Sequence, residues 1–114
     1  MLIDKKETVK QVYRFLKSYP SLVKLSLDGQ DGAFRAKAKE LMGVIEAFRD
    51  NLDDVRCEIF TNLFTRQTKE VLKLWQLYET LEIDKAEYER LKAEILLDFA
   101  KSYRGGVLLR KVEI

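Results

Sequence analysis

"LYETLEIDKAEYERLKAEILLDFAKSYRGG", Leu77 to Gly106, decides the fold. Its apolar residues recur at helical spacing on both sides of a short interruption at Glu82 and Ile83. Leu77 and Leu81 stand before it. Tyr88, Leu91, Ile95, Phe99 and Tyr103 share one face after it. Asp84 with Glu87 makes a capping box that starts the second helix, and Gly105 and Gly106 stop that helix. A helix-turn-helix has this layout: a support helix, a turn of three or four residues and a second helix. In it Leu77 and Leu81 close the core, Ile83 plugs the turn, and Tyr88 and Leu91 anchor the second helix. Antiparallel pairs in helical bundles give similar spacings, so periodicity alone leaves both arrangements open.

Working outward, the rest of the chain also reads as helix. Asp4 with Glu7 fits a capping box, followed by Val9, Val12, Tyr13 and Leu16 at helical spacing. This first helix is expected to end near Tyr19, because Pro20 disfavours helical geometry in the residue before it. An apolar stretch, Leu22 to Leu27, leads into a loop, Asp28 to Gly32, with two glycines and two aspartates. A second helix is predicted from Ala33 to about Arg49, with Phe34, Ala38, Leu41, Val44, Ile45 and Phe48 on its apolar side. Asn51 to Asp54 offers caps for a third helix carrying Val55, Ile59, Phe60 and Leu63. Thr65 offers a cap for a fourth, roughly Gln67 to Leu81, on which Val71, Leu74, Trp75 and Tyr78 repeat. The fold class expected is all-α, a small domain of about five helices ending in a helix-turn-helix, with at most a small β element. The 114 residues make one domain. Within it 1–52 supply N-terminal helices, 53–106 the helix-turn-helix unit and 107–114 a tail that docks as a strand or extended segment.

Composition narrows the function. There is no histidine and one cysteine, Cys57. That excludes an intramolecular disulfide, the usual zinc ligand sets and His-based triads, and Cys57 is expected to pack as a small apolar side chain. The adjacent Asp53 and Asp54 do not face one site, and the 28–32 loop lacks the Lys-Ser/Thr of a phosphate-cradling loop. No enzyme, cofactor or metal is expected. No apolar run reaches the ~18 residues of a membrane span, and Met1 to Lys10 lacks the apolar core of a signal peptide. A cytoplasmic protein without membrane contact is the expectation. Net charge is +2. Residues 1–50 hold ten Lys/Arg against seven Asp/Glu, and residues 51–114 eleven against twelve. The half with the helix-turn-helix pattern is therefore not basic, although nucleic-acid modules usually carry a basic stripe.

"IDKAEYERLK", Ile83 to Lys92, followed by "EILLDFAKSYRGG", Glu94 to Gly106, resembles the ArpU-like family of phage late transcriptional regulators. "IDKKETVKQVYRFLKSYP", Ile3 to Pro20, resembles that family's N-terminal helix, and Asp53 to Tyr103 is similar to the C-terminal helix-turn-helix region of sigma factors. The resemblance implies a DNA-binding regulator of phage or prophage late genes with its recognition helix near 84–104. It implies that Lys85, Ala86, Glu87, Glu89, Arg90 and Lys92 lie on or near the exposed side of that helix. Arg90 would pair with a guanine edge or a phosphate, and Lys85 and Lys92 with phosphates. Asp84, Glu87 and Glu89 depart from the family's Ser, Thr or neutral residues, and Glu82 from its glycine or asparagine. Asp84 and Glu87 read as caps favoured by the helix dipole; Glu89, one turn on, reads as a partner for Lys85 or Lys92. The implied partners are double-stranded DNA, with RNA polymerase contact or a homodimer adding the specificity one motif lacks. A second resemblance stays open. Leu74 to Leu96 is similar, at Glu87, Tyr88, Lys92 and Leu96, to the short helical modules called SHOCT. That implies oligomerisation or protein interaction without direct DNA binding.

Overall fold

The computed structural model describes residues 3–27, 32–103, 106 and 108. They are all-α: α1 Lys5–Leu16, α2 Tyr19–Leu27, α3 Gly32–Asp50, α4 Asp54–Phe60, α5 Leu74–Leu81 and α6 Lys85–Ser102, with short turns of π-helix (Thr61–Thr65) and 3-10 helix (Thr68–Glu70). No strand occurs among the described residues; Ile3 alone forms an isolated β-bridge. The chain divides into a terminal unit, Met1–Phe15 with Leu72–Ile114, and an inserted unit, Leu16–Val71. This differs from the expected division at 52/53, since Asp53 to Val71 groups with α2 and α3 rather than with α5 and α6. Of the loop expected at 28–32, Gly32 already belongs to α3; the loop's other four residues, the Gly105 stop and all of the 107–114 tail but Leu108 lie outside the described residues.

In the inserted unit, α2 is the main departure from expectation. Pro20 does not merely end α1, which stops at Leu16; it stands in the first turn of a new helix, Tyr19–Leu27. A first-turn proline forfeits no helical hydrogen bond and brings a helix-ready φ. Tyr19, Leu22, Ala38, Ile45, Ile59, Phe60 and Phe64 form the core. The Phe60 ring packs 5.6 Å from Phe48 and 5.1 Å, edge-on, from Phe64. The buried Tyr19 hydroxyl donates to Glu46 at 3.1 Å; desolvation first, then the Glu46 charge, pushes its pKa up. Asp53 caps α4, accepting from the Arg56 backbone N–H at 2.9 Å, and that bond holds its carboxyl below the usual range. Beyond Phe60 the helix widens into a π turn, closed by Arg66 N–H to Thr61 C=O at 2.8 Å. The Arg66 guanidinium straps this turn, reaching the buried Asn62 at 3.0 Å and Glu58 at 2.6 Å. Cys57 is half-buried, its sulfur 4.0 Å from the Thr61 hydroxyl.

Two expectations fail here for one reason. Phe34 and Val44, placed on the apolar side of α3, are 68% and 38% exposed. Thr65 does not cap a helix starting at Gln67. The backbone is extended at Gln67, Val71 and Lys73, and the helix starts only at Leu74. Val71 is 46% exposed. Short helices owe their stability to a buried face, and an apolar residue in period without such burial does not extend one.

In the terminal unit, α1 begins where expected, with the Glu7 N–H on the Asp4 carboxylate at 3.0 Å. It buries Thr8 and Val12. Its Phe15 ring lies 4.9 Å from Tyr103 and 5.9 Å from Phe99, which stacks on Tyr103 at 5.4 Å. From α6, Tyr88, Leu91, Ile95, Leu96, Phe99 and Ala100 are buried, so the face read from the 3.6-residue period is the one used. Leu77 is the buried residue of α5.

Candidate nucleic-acid interface

The junction of α5 and α6 is built from three residues, Glu82, Ile83 and Asp84. Glu82 adopts the left-handed conformation at φ 56° and ψ 43°. Its N–H reaches the Glu79 carbonyl at 3.3 Å, and the Ile83 N–H reaches the Tyr78 carbonyl at 3.0 Å. These two bonds are the Schellman pair that ends a helix and reverses the chain. Asp84 then caps α6, accepting from the Glu87 N–H at 2.8 Å. Behind the turn the Tyr78 and Tyr88 rings sit 5.3 Å apart. Ile83 is half-buried rather than the fully buried plug expected, and Leu81 is half-buried too. The tyrosine pair covers what one isoleucine was expected to fill.

The left-handed residue gives a direct test. A side chain in this conformation costs ~1–2 kcal/mol, partly offset on going to glycine by the unfolded chain's entropy. Glu82→Gly should therefore raise stability by roughly 0.5–1 kcal/mol and Glu82→Val lower it by about 1 kcal/mol or more. Urea titration measures both. A midpoint that falls for Gly and holds for Val would place the turn elsewhere.

Of the residues proposed to read DNA, Lys85, Ala86, Glu89 and Arg90 are exposed on the first two turns of α6. Lys92 is not with them. It is half-buried, and its ammonium lies 5.2 Å from the centre of the Tyr13 ring on α1. Lys92 follows Tyr88 by four positions and so shares the packed side. Arg90 is exposed but engaged: Nε reaches Glu87 at 3.1 Å, Nη2 makes a short ion pair with Glu87, and Nη1 reaches Glu94 at 2.7 Å. The hydrogen bond to Glu87, with the Glu87 and Glu94 charges, raises the guanidinium pKa. The half-buried Glu87 donates its backbone N–H to the Asp84 cap, and its carboxylate accepts from Arg90. Over Leu74–Ser102, seven Asp/Glu face four Lys/Arg. The pair of helices is acidic.

Compared with protein-family models, curated proteins and solved structures, the chain finds no match.

The N-terminal helix was expected to bury the back of the motif, and α1 does pack on α6 through Tyr13 and Phe15. Sequence reasoning missed the clamp on Arg90, whose carboxylates stand three before and four after it, the spacings at which helical side chains meet. Among the described residues no group of His, Cys, Asp and Glu is placed to hold a metal ion. Among the described residues no helix is long and apolar enough to cross a membrane.

Proposed function

We propose that the chain is a DNA-binding transcriptional regulator that presents the N-terminal half of α6 to the major groove. The observation that carries this is the three-residue turn, with Glu82 left-handed and Asp84 capping α6. It joins α5 to α6 through three residues, with Lys85, Ala86, Glu89 and Arg90 outward. The resemblance of Ile83–Gly106 to ArpU-like phage regulators agrees with that layout. In this reading Arg90 leaves Glu87 and Glu94 for a guanine edge, Glu89 accepts from a cytosine amino group, and Lys85 meets a phosphate. One such motif reads few base pairs; a second copy or contact with RNA polymerase supplies the rest. The test starts from a duplex selected out of a random pool by the wild-type protein. Arg90→Ala should weaken binding to it by about 1–3 kcal/mol and relax preference at one base position. Glu89→Gln should strengthen binding to unrelated duplexes, because it removes a charge that phosphate repels. A pool that yields no consensus, with both variants binding as wild type does, overturns the reading.

A second reading is favoured by one feature of α5. Leu74 and Trp75 are 49% and 61% exposed, beside an open hollow of about 350 Å³ lined by Leu72, Trp75, Gln76, Glu79 and Thr80. In this interaction-module reading the acidic helix pair binds protein through that hollow and leaves DNA alone. Trp75→Ala would then abolish partner binding and leave duplex binding, if any, unchanged.

A further inference from the structure

The proposed reading helix cannot supply the charge that holds DNA. With Lys92 on Tyr13, Arg90 between two carboxylates and an acidic excess over α5 and α6, only Lys85 remains for a phosphate on the N-terminal half of α6. Phosphate neutralisation nonetheless dominates DNA affinity. The terminal unit holds the missing cations on another element. Lys6, Lys10 and Arg14 follow one another at intervals of four on α1, and all three are exposed. Residues so spaced form one ridge, and this ridge lies opposite the buried Thr8 and Val12. Lys10 is tied only by a 3.6 Å surface pair with Glu7, more than half exposed on both sides. Such pairs are weak and screened by salt. Lys17, the next cation, is committed to the Leu63 carbonyl and the Phe64 ring and is not counted.

The packing of α1 sets it beside α6: Tyr13 meets Lys92, and Phe15 meets Phe99 and Tyr103. We propose that the Lys6–Lys10–Arg14 ridge of α1 binds the phosphodiester backbone of double-stranded DNA beside the groove that α6 enters. This rests on the DNA-binding reading above. The ridge is about 12 Å long at 1.5 Å per residue, which spans roughly three to four phosphates of one strand at about 3.4 Å each. A lipid surface fits less well: an interfacial helix needs an apolar face to insert, and that of α1 is buried in the unit's core.

The experiment is fluorescence anisotropy with a labelled random-sequence duplex, across salt, on three full-length proteins. They are the wild type, Lys6→Gln with Lys10→Gln and Arg14→Gln, and a control with Arg35→Gln, Lys37→Gln and Lys39→Gln. The control removes the same net charge from α3, where those three residues are also exposed; circular dichroism verifies that all three proteins are folded. The α1 variant should lower the slope of log affinity against log salt by roughly two to three, at about 0.9 per phosphate contact. Its affinity in dilute salt should drop at least about tenfold, and the α3 variant should stay within twofold to threefold of wild type. Equal losses in the two variants would mean that net charge, not the ridge, drives binding, and would overturn the proposal. So would an unchanged slope in the α1 variant. In those cases base preference that still depends on Arg90 leaves the DNA-binding reading standing. A wild-type protein that binds no duplex, or binds anionic vesicles instead, brings down both.

Discussion

Phe99→Ala is expected to destabilise the terminal unit by about 3–5 kcal/mol, the range for removing a buried aromatic ring. Phe99 is 1% exposed and packs against two other rings, Phe15 at 5.9 Å and Tyr103 at 5.4 Å. Its loss removes transfer free energy and also the aromatic contacts that join α1 to α6. The neighbours are large and held at both helices, so the cavity closes poorly. Trp75, the single tryptophan, lies on α5 and reports this unit's unfolding by fluorescence in a denaturant titration. A midpoint equal to wild type would mean that Phe99 does not sit in the core.

Alkaline pH should produce the next largest effect. Tyr88 is 2% exposed. Burial first, and then the charges of Glu89, Tyr78 and Tyr13, pushes its phenol from 10.0 up to about 12. Because the folded-state value is raised, the folded protein holds the proton more tightly than the unfolded chain does. Stability from this group is fully present below pH 10 and is lost as pH rises toward 12. A shift of about two units corresponds to roughly 2–3 kcal/mol. Tyr88→Phe has no proton to lose, so its stability should change less over that interval. Titrations at several pH values from neutral to strongly alkaline check this, and parallel losses in the two proteins would contradict it.

How much of this was legible in the sequence depends on how local the deciding interaction is. The faces of α1 and α6 and the caps at Asp4, Asp53 and Asp84 are set within one or two turns, and the residues declare them. Lys85, Ala86, Glu89 and Arg90 are outward for the same reason: Tyr88 and Leu91 fix which side is inward. Lys92 is not outward, because it follows the buried Tyr88 by four positions and so shares the packed side. What was not legible depends on distant partners. Nothing local says that Phe34 and Val44 stay exposed while Ile45 is buried, or that the helix read from Gln67 begins only at Leu74. Nor does any local signal divide the chain after Phe15 and Val71. Pro20 is the instructive case. Its ring disfavours helix in the residue before it and so signals an end, but the same ring is equally suited to a helix's first turn.

The central claim is that the N-terminal half of α6 meets DNA. Backbone amide chemical shifts of the full chain, followed while the selected duplex is added, test it most directly. DNA binding through α6 predicts that the largest shifts fall on Asp84 to Arg90, with a second group along Lys6 to Arg14. Shifts confined to Leu72–Thr80 or to α3, with Asp84 to Arg90 unmoved at saturation, would contradict it.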